Sequence, residues 1–316
     1  MRKPPGTHDA VPQLRFDVPV REPYRLDLTA LVLRRLSTNV VDRYGDDGTY
    51  RRALETPRGV IVLEVAQPAT NRLTVVARGN AREKETQDAV ARMLATDVDM
   101  QPFLRASRRV PWLRGIAARM RGVHPPRYPT LWEACVNAVV FQQISLFAAG
   151  AMMQRLVERF GTQVGRDTTH QWTFPSADNV ASAEPAALRG AGLSAAKATA
   201  LAGIAEALAR GALSREQLER RSSPEAAALL QQCRGIGPWT AAVILLRGLG
   251  RLDVFPENDS GAARSLALLL GHAGVATEKP VDVQAVLEQL GDTRGMLYYH
   301  LLLARLEARG EIPPPR

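Results

Sequence analysis

The stretch Leu229–Leu246, LLQQCRGIGPWTAAVILL, holds two helical runs parted by a glycine turn. A helix is expected to end near Cys233, Gly235–Ile236–Gly237 to form a tight turn, and a second helix to begin at Pro238 or Trp239. Glycine at both ends of the turn lets the backbone take positive φ and approach a ligand with no Cβ in the way. Ile236 is the apolar plug between the two helices. The amides of Gly235, Gly237 and Thr240 then stand at a helix N-terminus, where unpaired N–H groups and the dipole attract a phosphate. Such a contact grips a DNA strand by its backbone without reading sequence. Two glycines alone would equally make a joint between packed helices. The longer pattern Gly–Ile–Gly–x–x–Thr–Ala with an apolar helix behind it points to phosphate.

Downstream, RLDVFPENDSGAARSLALLLG (251–271) breaks at Pro256 and resumes as a helix after Asp259. Aspartate is a favoured N-cap, and that role alone would explain it. The two roles are compatible, because amides at a helix start also stabilise a carboxylate. A fixed negative charge beside a sugar that turns cationic lowers the barrier to breaking a glycosidic bond. The same group can orient or deprotonate an attacking water. Asp253 and Glu257 are rivals, the first before the break and the second in the turn; Asp259 is the candidate catalytic acid.

Upstream, Thr130…Glu133, Ser214…Gln217 and Ser222…Glu225 have capping-box spacing, each placing a hydroxyl three residues before a carboxylate or amide. Residues 1–23 are expected to form a loose arm with one extended piece at Leu14–Val20. Helical spacing covers Leu26–Leu36, strand patterns cover Tyr50–Leu54, Val60–Ala66 and Leu73–Ala77, and Thr86–Leu94 is helical again. The segment QPATNR between the last two strands reads as a hairpin turn. The expected organisation is an α+β domain over 1–104 and an all-α region over 105–316.

Composition narrows the function classes. The chain has 316 residues, 46% of them hydrophobic, enough for two cores. Its formal charge of +9 favours a polyanionic partner. The charge is nearly all arginine, since lysine occurs only at Lys3, Lys84, Lys197 and Lys279. Cys135 and Cys233 are the only cysteines and no His/Cys ligand spacing appears, which argues against a zinc site or an iron–sulfur cluster. No apolar run is long enough for a membrane span, and the basic start MRKPPGTHDAVPQ has no apolar segment behind it. A cytoplasmic protein without a membrane partner is expected.

With these residues in place, GIGPWTA and DVFPENDSG resemble the hairpin and aspartate signature of the helix–hairpin–helix DNA glycosylases, more narrowly the AlkA-type 3-methyladenine DNA glycosylase II group. AVVFQQISLFAA (138–149) is similar to that family's Gln–x–x–Ser helix junction, and 174–201 to its "FP…A…LR..GL…KA" stretch. PYRLD (23–27), TYRRAL (49–54) and RGVIVLEV (58–65) are similar to its TATA-binding-protein-like antiparallel sheet domain.

The resemblance implies a monomeric base excision repair enzyme that acts on double-stranded DNA with damaged bases, nucleoid-associated in a bacterium. It puts Asp259 on the catalytic aspartate and Gln143, with Gln142 beside it, on the wedge that fills the gap left by a flipped nucleotide. Read without the family, both glutamines are equally polar caps of a helix end. Trp239 falls on an aromatic facing the base pocket, able to stack on a cationic alkylated purine such as 3-methyladenine or 7-methylguanine; alone it reads as hairpin core. The carbonyls of Gln231, Cys233 and Gly235 fall where relatives hold a monovalent cation, Na+ or K+, that bridges to the phosphate; no other cofactor is implied. Bifunctional relatives carry a lysine nucleophile where this chain has Trp239, and no lysine lies between 198 and 278. Without an amine for a Schiff base, base release should leave an abasic site. Pocket positions that are aromatic in the best-known member are Val32, Val243 and Thr293 here; Tyr298 and Tyr299 are possible replacements, and Arg294 matches a basic position of undecided role. A binding protein without chemistry, and a glycosylase for oxidised or deaminated bases, are the competing readings.

Overall fold

The computed structural model describes residues 12–165, 171–257, 259–272 and 283–312. Strand β1 (Gln13–Pro19) is followed by α1 (Leu26–Arg34), then β2 (Arg43–Tyr44), β3 (Tyr50–Thr56), β4 (Gly59–Ala69) and β5 (Arg72–Arg78). These strands form one antiparallel sheet in the order β1-β5-β4-β3-β2. Along β5 buried residues alternate with partly exposed ones, so Leu73, Val75 and Ala77 face the core. The turn read at QPATNR is shorter than expected. β4 runs on to Ala69, which pairs with Arg72, and only Thr70 and Asn71 make the turn. The ladder slips between Ala66 and Ala69, where Pro68 has no N–H to give it.

Helices follow: α2 (Glu83–Leu94), α3 (Gln101–Ser107), α4 (Pro111–Arg119), α5 (Leu131–Val140) and α6 (Leu146–Phe160). After them come α7 (Ala177–Ala181), α8 (Pro185–Gly190), α9 (Ala195–Ala209), α10 (Arg215–Glu219), α11 (Ser223–Gln231) and α12 (Pro238–Ile244). A π-helical turn over Leu245–Leu249 extends α12, and α13 (Ser260–His272), α14 (Val283–Leu290) and α15 (Gly295–Ala308) complete the chain. The expectation that 105–316 is purely helical needs one correction. β6 (Gln163–Val164) and β7 (Gln171–Trp172) pair antiparallel, too short a ladder to leave a strand pattern in sequence. The Gln171 side chain donates to Val41 O at 3.1 Å, anchoring this ladder to the larger sheet's β2 end. Of the loose arm expected over 1–23, residues 1–11 lie outside the described residues, and the rest is not loose, because β1 pairs along its whole length with β5.

The boxes at Ser214 and Ser222 close in both directions, whereas at Thr130 only half does. Thr130 Oγ1 accepts from Glu133 N at 3.1 Å, but the Glu133 carboxylate is drawn to Arg52, 2.5 Å away. Arg52 also holds Asp42 at 2.6 Å, and Asp42 accepts from the Tyr50 hydroxyl. Burial pushes the Glu133 carboxyl up to about 7, against the pull of Arg52. This sealed cluster ties the sheet to α5, every residue of which is buried.

Two cores result, and each draws residues from both sides of residue 104. One joins sheet residues such as Leu63 and Val75 to Val136 of α5, Ile204 of α9 and Ile244 of α12. The other joins Leu31 of α1 and Phe103 of α3 to Leu113 of α4 and to Met296 and Leu303 of α15. Among the described residues no helix is long and apolar enough to cross a membrane.

Candidate active site

A cavity of about 1010 Å³ opens where the start of α12, the start of α13, the α5–α6 junction and α15 meet. Gly235, Gly237, Trp239, Thr240, Gln142, Gln143 and Asp259 all line it. Asp253 and Glu257 are exposed and do not.

The turn forms as expected at one glycine only. Gly235 has φ +89°, and a Cβ there would sit 2.5 Å from the Ala200 Cβ on α9. Gly237 has φ −93°, which any residue adopts, with nothing within 4 Å of an added Cβ. Its use is therefore the open space before the amides, not backbone strain. Ile236 is buried as the plug. Ala241 N bonds back to Gly237 O, while the amides of Gly235, Gly237, Trp239 and Thr240 have no acceptor among the described residues. Four N–H groups without acceptors among the described residues thus gather with a helix start on the cavity lining, a ready site for an anion.

Asp259 opens α13. Its Oδ1 accepts from Ala262 N at 2.8 Å and its backbone carbonyl accepts from Ala263 N at 2.9 Å. Its Oδ2 accepts from the Trp239 indole N–H at 3.1 Å. The side chain is half-buried, capped on one oxygen and steered on the other, and still lines the cavity. Gly261 leaves room beside it: a Cβ there would lie 3.0 Å from Asp259 Oδ1 and 2.9 Å from the Arg305 guanidinium, so one of these side chains would have to shift. Tyr298, half-buried on the facing wall, has its phenol pushed up to about 12 by burial and then by the Asp259 charge. It is a hydrogen-bond donor over the whole useful pH range.

The two glutamines separate. Gln142 Nε2 donates to Gly235 O at 2.8 Å and to Thr240 Oγ1 at 2.5 Å, pinning the α5–α6 junction to the hairpin. Gln143 is exposed with φ +54°, a left-handed conformation uncommon for a non-glycine residue and concentrated at functional sites. Lys197 holds the same junction from behind, donating to Val140 O at 2.7 Å and Gln142 O at 3.1 Å. Burial lowers its pKa. Among the described residues no lysine lines the cavity; Lys3 and Lys279 lie outside them.

The carbonyls expected to hold a cation lie at the end of α11. Gln231 O receives no backbone N–H among the described residues, Cys233 O accepts from Ile236 N at 3.1 Å, and Gly235 O accepts from Gln142. Neutral oxygen donors with a second lone pair suit a hard monovalent ion, so the donor chemistry fits.

A family model described as HhH-GPD superfamily base excision DNA repair protein matches residues 136–290, which hold the junction, the hairpin and Asp259. The chain is 34% identical over 173 residues to "DNA-3-methyladenine glycosylase" of Bacillus subtilis, covering 55% of this chain and 57% of that protein. It is 32% identical over 228 residues to "Probable bifunctional transcriptional activator/DNA repair enzyme AlkA" of Mycobacterium tuberculosis, covering 70% of this chain and 45% of that protein. Over residues 136–290 the chain matches the HhH-GPD superfamily.

It spans about half the length of these curated relatives. In fold the likeness is nearly complete: "3-methyladenine dna-glycosylase from Archaeoglobus fulgidus" superposes with a TM-score of 0.75 at 24% identity, covering 92% of this chain and 99% of that one. The pocket positions singled out in sequence part ways. Val243 lines the cavity, but Val32 and Thr293 do not. Val32 is fully buried and Thr293 bonds back to Leu290 O. Of the two tyrosines Tyr298 faces the cavity, while Tyr299 is core and donates to Leu246 O. Arg294 Nε donates to Gly291 O, away from the cavity. Sequence reasoning missed Arg35, Asn137, Phe141 and Arg305 in the lining. Phe141 lies inside the stretch 138–149 and Asn137 directly before it, whereas Arg35 and Arg305 lie outside every stretch singled out.

Proposed function

We propose that this protein is a monofunctional DNA glycosylase, acting as a monomer on double-stranded DNA, that removes alkylated purines of the 3-methyladenine and 7-methylguanine type in base excision repair. The observation that carries the reading is Asp259, held by Ala262 N–H and the Trp239 indole inside the cavity that the open hairpin amides border.

The amides of Gly235, Gly237 and Thr240 hold a phosphate of the damaged strand. A monovalent cation on the carbonyls of Gln231, Cys233 and Gly235 would add positive charge there. Gln143, presented at the cavity mouth by its left-handed backbone, fills the gap left by the flipped nucleotide. The C1′–N bond breaks with its electron pair leaving on the base, so positive charge develops on the sugar. The Asp259 carboxylate stabilises that charge. Water then adds at C1′ and gives up its proton, with Asp259 positioned to accept it. No amine in the described lining competes with water, and the product is an abasic site on an uncut strand.

The test is base release from oligonucleotide duplexes with a single 3-methyladenine or 7-methylguanine, followed by a check for strand cleavage. Release without cleavage is expected. Salt-sensitive binding with no release from either lesion would reduce the protein to a DNA-binding module, and a trapped covalent adduct on borohydride treatment would replace the monofunctional reading.

A further inference from the structure

A second cavity, of about 490 Å³, lies where the tip of the β3–β4 hairpin, one face of α2 and the starts of α5 and α7 meet. It shares no lining residue with the cavity that holds Asp259. α5 stands between the two: Trp132 in its first turn lines one, and Asn137 near its far end lines the other. From α2 and its N-cap the second cavity takes Arg82, Glu85, Thr86, Ala89 and Arg92, the spacing of a single helix face. At 1.5 Å per residue that face makes a groove about 15 Å long. Its volume is that of a small-molecule site, where apolar walls carry a few placed polar groups.

The lining holds more donors than its acceptors use. Arg52, only 1% exposed, gives its two Nη groups to Asp42 and Glu133, and its Nε is left without an acceptor. Arg58 at the hairpin tip pairs with Glu85 on α2, and its Nε is likewise buried and bare. Arg92 is the plainest case. It is half-buried, its Nε is sealed from water, and it has no ion pair or hydrogen bond among the described residues. Arg127 N donates to Met93 O at 2.9 Å, which sets a second bare arginine beside it, again with a buried Nε. Burial lowers the Arg92 pKa, and Arg215 and Arg127 push the same way; the opposing Glu219 carboxylate is already held by Arg215 at 2.6 Å. A half-buried guanidinium among like charges weakens the fold, and an anion from outside reverses that. The remaining walls are apolar and flat: Trp132, whose indole N–H goes to Pro175 O, with Phe174 and Pro57.

We propose that this groove is a second ligand site, for a phosphorylated small molecule with a flat ring, of which a nucleoside monophosphate is the simplest. Arg92 takes the phosphate, because a guanidinium with no other partner offers two parallel donors to two oxygens. The ring lies against Trp132 and Phe174, the flat apolar part of the lining. Thr130 and Ser176 each accept a helix amide with their hydroxyl oxygen and keep the O–H to donate to an acceptor on the ring. Neither Asp259 nor the glycine turn takes part, so the inference stands apart from the glycosylase reading.

The experiment is calorimetric titration of the full chain with deoxyadenosine monophosphate, inorganic phosphate and deoxyadenosine, using wild type, Arg92→Gln and Gly237→Ala. Wild type is expected to bind the nucleotide more tightly than phosphate or the nucleoside. Arg92→Gln should weaken the nucleotide by about tenfold, the scale of one charge-assisted contact, while Gly237→Ala leaves it unchanged. Without ligand, Arg92→Gln should unfold at the wild-type temperature or above it, since an unpaired half-buried charge is removed; a lower one makes Arg92 structural and overturns its role. No binding to wild type at millimolar nucleotide overturns the proposal. So does undiminished binding to Arg92→Gln, and a loss confined to Gly237→Ala would put the nucleotide on the hairpin amides instead. Phosphate binding as tightly as the nucleotide takes the ring out of the site and overturns the ligand class. If Arg92→Gln does not fold, Ala89→Glu sets a carboxylate on the same face of α2 and is held to the same loss. No outcome depends on base release, so failure here leaves the glycosylase reading where it was.

Discussion

Two helices begin at the same cavity, and they begin differently. α12 starts from Gly237 with no side-chain cap and leaves its first amides without acceptors among the described residues. α13 starts from Asp259, whose own carboxylate takes the Ala262 amide. Both ends carry the same partial positive charge. What differs is where the anion comes from. At α12 it has to arrive from outside; at α13 the chain supplies it, and the carboxylate is thereby held in place at the cavity wall.

Asp259→Asn should break this contrast most severely. Asparagine is as good an N-cap as aspartate, so the fold stays while the charge goes. Base release should drop by about 1000-fold, the scale of losing a main electrostatic stabiliser, with DNA binding little changed. Undiminished release in that variant would remove Asp259 from the mechanism. Gly235→Ala comes next: its positive φ and the 2.5 Å approach to Ala200 predict a loss of about 2 kcal/mol in urea unfolding. An unchanged midpoint would mean that the turn relaxes freely. Trp239→Phe keeps a ring but removes the N–H held on Asp259; losing about 1.5 kcal/mol from a hydrogen bond to a charged group predicts release slower by about tenfold. Equal rates would make that bond incidental. The smallest change in stability is expected from Gly237→Ala, within about 0.5 kcal/mol, since its backbone is ordinary and its surroundings empty. It sharpens the comparison because DNA affinity should nonetheless fall, through a methyl placed before the open amides. Unaltered affinity would argue that the phosphate sits elsewhere.

The parts of the site legible in sequence are those set by local backbone chemistry. The glycine turn, the proline start of α12 and the aspartate before α13 announce themselves because turns and caps depend on a few adjacent residues. Of the sheet, β3, β4 and β5 are legible in sequence, β1 shows only as an extended piece and β2, two residues long, leaves no pattern. What escaped depends on packing. Glu133 was read as a cap, and only the fold shows Arg52 drawing its carboxylate away. Gln142 was grouped with Gln143, although one bonds the hairpin and the other is exposed at the cavity mouth. The Trp239–Asp259 bond joins two residues each singled out for a separate reason. Arg35 had no signal at all, because nothing around it in sequence shows that the end of α1 lies against Phe141.

The placement of Arg35 and Tyr298 has an evolutionary corollary. Both fall outside residues 136–290, the portion shared with the superfamily, although both border the same chamber as Asp259. Substitutions at these two outlying positions would reshape the chamber's wall while leaving the glycine turn and the Asp259 cap in place, although Tyr298 also feels the Asp259 charge. The wall of the chamber is thus built partly from chain outside the matched segment, so what fits there can change while that segment keeps its sequence.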